Sequence, residues 1–373
     1  VWVTSSLTTA LTPTAVALGN FDGVHRGHQQ VVKPVLPESL AESLATRSLA
    51  AFPPAESRCP EDKSLLENTI SESRDSIHKL SISTNFYATV VTFNPHPQEF
   101  FTGKSRALLT PPDEKVLHLA SLGVEQLVML PFGREMAALS PHEFVENILV
   151  QQLRAERVSV GQDFCFGYKR SGTSADLQAI AAKYDVEVII VPIQNSEGER
   201  ISSSMIRQAL LSGDIERANR LLGRPYTLTG SVVKGQQLGR TLGFPTANLQ
   251  LPSEKLIPHF GVYAVRVAIE PAQNFSQDST EFCGKEKNNL TENSLSHLLP
   301  GVMNIGCRPT VNGTSTTVEI HLLDWFGDLY GKTITVSLEK FLRPEQKFAS
   351  LAALKAQIEV DSATARALFI GNG

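Results

Sequence analysis

Two stretches of the chain gather residue types suited to gripping phosphate. The first is Gly19-Asn-Phe-Asp-Gly-Val-His-Arg-Gly-His28. His25 and His28 stand three apart around Gly27, so both imidazoles can point at one anion while the glycine lets the backbone come close. Neither needs to act as a base. Two turn histidines that merely cap a helix are the structural alternative, and a metal pair lacks a third His or Cys at a recognised spacing. A partner stretch is Ile201-Ser-Ser-Ser-Met-Ile-Arg207. Ser202, Ser203 and Ser204 at a helix start can cap free N–H groups or donate to phosphate oxygens, and Arg207 can fork onto phosphate oxygens as well. By itself this is equally a capped helix with a surface arginine.

The second stretch is Gly235-Gln-Gln-Leu-Gly-Arg-Thr-Leu-Gly-Phe-Pro-Thr-Ala-Asn248. Gly235, Gly239 and Gly243 suit a loop whose N–H groups face polyphosphate, and the Thr246 hydroxyl with the Asn248 amide oxygen offers hard ligands for Mg²⁺. No Gly-Lys-Ser or Gly-Lys-Thr follows, so this is not a Walker loop; the glycines alone would also fit a flexible hairpin. Downstream, Thr317 to Asp324 alternates, with Val318, Ile320 and Leu322 on one face and Glu319 and His321 on the other. A carboxylate in so apolar a strand calls for a reason, the alternative being an exposed-face glutamate. His321 is expected to be structural.

These residues need elements to position them. Ala15–Gly19 reads as a buried strand and His28–Leu36 as a helix start, which sets the first histidine pair at a strand-to-helix turn. Ligands in open α/β sheets bind beyond the carboxyl ends of strands, where a helix N-terminus favours phosphate, so the location suggests a nucleotide. Further strands are expected at Tyr87–Phe93, Gln126–Leu130, Arg157–Val160 and Val186–Val191, with helices at Asp113–Leu122 and Ser140–Leu153 between them. That alternation implies a parallel sheet covered on both faces. After about Arg224 the texture changes to period-two strands at Thr227–Val233, Gly261–Ile269, Thr316–Leu323 and Thr333–Leu338, a small antiparallel barrel, with a closing helix over Leu351–Phe369. Pro37–Asn85 and Pro271–His297 are polar and aperiodic and read as insertions.

The 373 residues fit two domains, and 42% apolar with 19% charged residues is the make-up of a soluble globular chain. A net charge of −4 gives no general attraction to nucleic acid, so any phosphate must be gripped locally. Cys59, Cys165, Cys283 and Cys307 form no C-x-x-C pair, which argues against a zinc site or a disulfide framework and for a reducing compartment. Val1–Thr14 lacks a basic stretch followed by an apolar core, and no run is apolar enough to span a bilayer; the expected place is the cytoplasm, away from membranes.

The H-x-G-H signature resembles that of nucleotidyltransferases joining a phosphate-bearing acceptor to the α-phosphate of a nucleoside triphosphate. Pro245–Asn248 resembles the P-T-A-N motif of riboflavin kinases. Asn94-Pro-His-Pro97 and Val160-Gly-Gln-Asp-Phe-Cys-Phe-Gly167 resemble segments of prokaryotic FAD synthetases, and Asn304–Thr310 and Gly327–Gly331 add to the likeness. Together these features resemble the prokaryotic bifunctional riboflavin kinase and FMN adenylyltransferase family. The resemblance implies an N-terminal Rossmann-like adenylyltransferase domain, 1–223 with insertion 37–85, and a C-terminal six-stranded riboflavin kinase barrel, 224–373 with insertion 271–297. It implies riboflavin, FMN and ATP as small-molecule partners and Mg²⁺ at both sites; homo-oligomers are compatible with it. It also implies His25, His28 and Arg207 acting on the transferring adenylyl group, Gly19, Phe21, Gly27 and the three serines around the nucleotide, and Glu319 as general base toward the riboflavin 5′-hydroxyl. Asn94, His96, Asp163 and Phe164 fall on the flavin side, although Phe164 and Phe166 also suit a core. Departures are the two insertions, Asn94 where many relatives carry an acid, and Cys165. Two other readings stay open: a nucleotidyltransferase for a different phosphorylated acceptor with a non-catalytic barrel, and a flavin-binding regulator without turnover.

Overall fold

The computed structural model describes residues 1–37, 86–235, 239, 243–269, 298–310 and 313–370, and of the side chains at 308–310, 313–315 and 370 nothing is said. The two expected insertions lie outside the described residues except for Pro37. In its described parts the chain forms two compact units, one of Val1–Asn20, Gln30–Pro95 and Leu119–Pro192, the other of Phe21–Gln29, His96–His118 and Ile193–Gly373.

The first unit is built on strands β1 (Trp2–Thr4), β2 (Thr14–Leu18), β3 (Tyr87–Asn94), β4 (Gln126–Pro131), β5 (Ala155–Gly161) and β6 (Glu187–Val191). They make a six-stranded sheet in the order β1-β4-β3-β2-β5-β6, parallel throughout. Every residue of β2 is buried, as expected of a parallel strand covered on both faces. The chain leaves β2 toward β3 on one side and later returns to β5 on the other, so the end of β2 is a topological switch point. Over Ser140–Leu153, where periodicity predicts an ordinary helix, Ser140 and Glu143 close a capping box and the segment Phe144–Gln152 winds as a π-helix. Phe144, Val145, Ile148 and Leu149 still reach the core, which they share with side chains of β2, β3, β4, β5 and β6. β1 escapes a sequence reading because it is three residues long and two of them are exposed.

The second unit contains a closed antiparallel barrel of β7 (Tyr226–Val233), β8 (Ala247–Gln250), β9 (Gly261–Ile269), β10 (Leu299–Thr310), β11 (Gly313–Leu322) and β12 (Thr333–Pro344), in the order β7-β8-β11-β10-β9-β12. Closure pairs every strand and leaves no open edge. β10 was not expected as a strand, since Pro300, Gly301, Gly306 and Pro309 interrupt its alternation; it forms because β9 and β11 supply partners along its length. The terminal helix Leu351–Ile370 buries Ala365 against Val262, Ala264 and Val302, and Arg343 of β12 holds Asp361 through a fork at 2.8 and 3.0 Å.

Two helices precede the barrel: α-helix Ser203–Ser212, capped by Ser202, and α-helix Ile215–Leu222, capped by Asp214. Their apolar sides continue the barrel interior, because Ile206, Leu210, Leu221 and Leu222 belong to one buried cluster with Tyr226, Met303 and Ile334, and Leu109 joins it. Compactness thus draws a different line from the expected functional one at 223/224: it groups the histidine loop and these helices with the barrel.

Candidate active sites

Beyond β2, the Gly19 N–H donates to the Val91 carbonyl at 3.2 Å, and then the chain turns sharply. Phe21 and Val24 hold positive φ angles of 48° and 41°, with Gly23 at 97° between them. Such backbone persists only where surroundings over-determine it. Here the determinant is Asp22, which is almost fully buried. Its Oδ1 accepts from the N–H groups of Leu109 (2.8 Å) and Thr110 (3.4 Å), its Oδ2 accepts from Arg207 Nη2 at 2.5 Å, and its carbonyl accepts from Ser203 Oγ at 2.7 Å. The Gly23 N–H donates to Thr110 Oγ1 at 3.0 Å.

The histidines follow at once. His25 folds its ring over the first turn of the helix Arg26–Val32, and its Nδ1 accepts the His28 N–H at 3.2 Å. A Cβ at Gly27 would sit 3.2 Å from that ring, a tight approach that would require the imidazole to give by a few tenths of an ångström. The two imidazoles stack with centroids 3.6 Å apart, and Phe21 packs on His28 at 5.2 Å. This helix has only seven residues, so side chains rather than a long helix dipole must carry an anion. Burial first, then the charge of His25 and of Lys115 and Arg224, pushes the His28 pKa well below the usual histidine range. A neutral imidazole still donates one N–H. His28 Nδ1 and Arg207 Nε are buried with no hydrogen-bond partner among the described residues, an arrangement a folded chain tolerates where a ligand completes it.

The three serines divide. Ser202 caps its helix through Met205 N at 3.3 Å, Ser203 is spent on the Asp22 carbonyl, and Ser204 is exposed. Sequence reasoning missed Asp22 although it lies inside the motif, because a carboxylate looks wrong in an anion loop. Its burial among cations resolves that: Arg106 and Lys115 feel its charge as well as Arg207. On the flavin side, His96 is an N-cap, accepting from Gln98 N at 3.1 Å while Glu99 returns to its backbone N–H. Asn94 ends β3 exposed, and its carbonyl accepts from Phe132 N at 3.2 Å. Asp163 is exposed just past β5; Phe164 is partly buried against the sheet core and stacks on Phe166 with centroids 5.7 Å apart. Because β3, β2 and β5 are adjacent and parallel, Asn94, Gly19 and Asp163 emerge at the same end of the sheet.

In the barrel, register does the assembling. Asn248 of β8 pairs directly with Glu319 of β11, and Thr246 stands just before β8. A Cβ at Gly235 would run into the Asn248 amide, and one at Gly239 into the Phe244 carbonyl with Thr246 Oγ1 at 3.3 Å. Gly243 is different: among the described residues nothing lies within 4 Å of a Cβ built there, and its φ of 88° is what asks for glycine. Val318, Ile320 and Leu322 are buried and Glu319 and His321 only partly so, as the alternation predicts. His321 also has a task, with its Nδ1 2.9 Å from the Pro245 carbonyl and its ring edge-on to Phe244. A cavity of about 460 Å³ opens beside Thr246, with Trp325, Phe326 and Tyr330 in its wall. No group of three His, Cys, Asp or Glu able to hold a metal occurs among the described residues; the neutral oxygens of Thr246 and Asn248 instead suit Mg²⁺, which keeps few protein ligands and fills its shell with phosphate and water.

The riboflavin kinase family matches residues 222–369, and the FAD synthetase family matches 7–83 and 75–205. Proteins named bifunctional riboflavin kinase/FMN adenylyltransferase are similar along nearly the whole chain. That of Escherichia coli K12 is 38% identical, covering 95% of this chain and 92% of its own; those of Pseudomonas fluorescens and Listeria monocytogenes are 35% and 33% identical, covering 94% and 95% of this chain and 91% and 92% of theirs. The solved structure of a macrolide-efflux protein from Streptococcus pneumoniae superposes with a TM-score of 0.70 at 27% identity, over 98% of both chains. Among the described residues of the present chain no helix is long and apolar enough to cross a membrane. With both families matched in the order in which the two sites occur, the chain belongs to the bifunctional riboflavin kinase/FMN adenylyltransferase family.

Proposed function

We propose that the two reactions divide between the two constellations, riboflavin to FMN within 224–373 and FMN to FAD within 1–223. At the barrel, Glu319 takes the proton from the riboflavin 5′-hydroxyl as that oxygen attacks the γ-phosphorus of ATP, and ADP leaves. Gly235, Gly239 and Gly243 bring backbone against the phosphates, and the aromatic wall beside Thr246 suits a planar ring. Thr246 and Asn248 would hold Mg²⁺, which would neutralise phosphate charge when bound. The observation that carries this half is the register pairing of Asn248 with Glu319, which sets an oxygen ligand and a carboxylate side by side.

At the loop after β2, an FMN phosphate oxygen attacks the α-phosphorus of ATP, the bond from that phosphorus to the bridging oxygen breaks, and pyrophosphate leaves. No base is needed, since the attacking phosphate is already ionised, so the protein's task is to place donors around the transition state. His28 and His25 flank the α-phosphate, Arg207 the β and γ oxygens, and Gly19, Phe21, Gly27 and Ser202–Ser204 the nucleotide. Asn94, His96, Asp163 and Phe164 form the flavin side. Both reactions run in the cytoplasm on riboflavin, FMN and ATP.

The test is a time course on purified full-length chain with riboflavin, ATP and Mg²⁺. FMN should appear first and FAD after it, and chelation of Mg²⁺ should stop both. FMN that accumulates without FAD would leave the loop without its proposed reaction.

A further inference from the structure

A lysine and a glutamate that neither reaction uses form the most deeply buried ion pair among the described residues. Lys255 Nζ lies 2.5 Å from Glu114 Oε2, with side chains 0% and 7% exposed. The lysine comes from the loop between β8 and β9, the glutamate from the helix Pro112–Ser121. The same Nζ donates to the Leu109 carbonyl at 2.8 Å and lies 4.5 Å from the centre of the Tyr226 ring. Around it the two chain segments are laced by backbone: Leu108 N–H to the Glu254 carbonyl at 2.6 Å, and Leu256 N–H to the Leu108 carbonyl at 2.8 Å.

Leu109 is where this arrangement meets the anion loop. Its carbonyl takes the lysine, and its N–H is the 2.8 Å donor to Asp22 Oδ1, while Asp22 Oδ2 holds Arg207. An unbroken line therefore runs from Lys255 through the Leu109 peptide and the Asp22 carboxylate to the guanidinium proposed for the ATP phosphates. Arg224 secures the other side of the loop, donating to the Gly23 and Val24 carbonyls at 2.8 and 3.4 Å. Lys255 and Arg224 both lie in the stretch matched by the riboflavin kinase family.

We infer that Lys255, though it belongs to the kinase part of the chain, is a positioning residue for adenylyl transfer, fixing Arg207 through Leu109 and Asp22. The inference rests on the assignment of Arg207 to that reaction. A buried ion pair alone would be weak ground, since many can be replaced by apolar residues at no loss of stability. The bond to the Leu109 carbonyl is what gives the lysine a line to the site. It also explains the choice of lysine, a compact point charge whose several donors can serve a carboxylate and a carbonyl together.

The experiment uses full-length Lys255→Met, the double variant Lys255→Met/Glu114→Met, Glu114→Gln and Arg207→Ala, each assayed for FMN adenylylation, riboflavin phosphorylation and melting temperature. Lys255→Met strands a buried carboxylate and cannot be judged by rate alone if it melts low, so the double variant, which removes both charges, is the deciding one. It should melt close to the parent and phosphorylate riboflavin within about twofold, yet form FAD roughly 10- to 100-fold more slowly, with the KM for ATP raised and kcat lowered in that reaction alone, as for a catalytic group displaced by about 1 Å. Glu114→Gln leaves the lysine's bond to Leu109 and should keep most adenylylation. Recovery of FAD formation in the double variant would reduce the pair to a structural role and overturn the inference, as would a parallel fall in both activities or loss in Glu114→Gln as deep as in the double variant. If the double variant fails to fold, Lys255→Met/Glu114→Gln, which also removes both charges but keeps the shape of the glutamate, decides by the same criteria. Arg207→Ala separates the two failures: parent-like adenylylation there would remove the site assignment itself, whereas loss there with none in the double variant would remove only the clamp.

Discussion

The two sites are held by different kinds of bond. In the barrel, Asn248 and Glu319 meet because neighbouring strands pair in one register, and a slip of either strand by one residue would turn its side chain to the other face, away from its partner. Around β2 nothing so regular is at work. Asp22, Thr110 and the helix carrying Ser203 and Arg207 come from three separate places in the chain and converge through side-chain bonds on a loop with two non-glycine residues at positive φ. A site built on register resists change except at its reacting groups and closest approaches. A site built on buried charge is sensitive to every member of the network and to protons.

The largest effect that would sharpen this contrast is on the barrel's carboxylate. Glu319→Gln keeps shape and hydrogen bonding but cannot take a proton, so riboflavin phosphorylation should fall roughly 10² to 10⁴-fold while added FMN is still adenylylated. Near-parent phosphorylation would mean that the phosphate or solvent receives the proton. Next comes His28→Ala, with an expected loss of roughly 10² to 10³ in FAD formation and none in FMN formation. If folded variant protein adenylylates FMN at the parent rate, the loop loses its assigned role and the comparison collapses to one working site.

Smaller is the effect of Gly235→Ala, whose new methyl must displace the Asn248 amide. An overpacking cost of this kind should raise the KM for ATP in the kinase reaction about 10-fold, with adenylylation as the internal control. Gly243→Ala meets no neighbour among the described residues and should act through its positive φ. Equal effects of the two on the KM for ATP would show that close approach at Gly235 is not what matters.

The smallest effect is on pH. His118 accepts a hydrogen bond from Arg224 Nε at 3.3 Å, and burial, then the charges of Arg224 and Lys255, brings its pKa down to about 3. Between that value and the ordinary histidine pKa near 6.5 the unfolded chain binds a proton that the folded chain refuses. Stability is therefore full above about pH 6.5 and falls as the pH is lowered, by about 1.4 kcal/mol per unit for such a group. His118→Gln keeps an acceptor for Arg224 and should flatten this slope, read as melting temperature between pH 7 and 5; by about 2–4 °C per kcal/mol the change is only a few degrees. His28, held neutral in the same way, predicts adenylyl transfer without a break near pH 6.5. A fall in kcat with an apparent pKa there would put an imidazolium to work instead.

How far a sequence could be read followed the range of the forces involved. Five strands of the sheet and four of the barrel are legible because apolar runs and alternation report burial directly, residue by residue. β10 was not, since two prolines and two glycines hide a strand whose partners are far away in sequence. The motif residues were visible in the same way: His25, Gly27, His28, Arg207, Thr246, Asn248 and Glu319 announce themselves by type and spacing. Their divisions of labour were not. That His25 caps the turn and stacks on His28, that His96 caps a helix, that Ser203 holds the loop and Ser204 faces solvent, and that His321 reaches the Pro245 carbonyl all depend on where side chains point. Asp22 marks the limit most clearly. The chain by itself determined the two families, the parallel sheet, the barrel and the residue types at each site, because composition, period and motif are local properties. Only the tertiary structure could decide that a carboxylate belongs at the centre of an anion loop, because its partners at Leu109, Thr110 and Arg207 lie 87 to 185 residues away and its burial among them, not its identity, sets what it does.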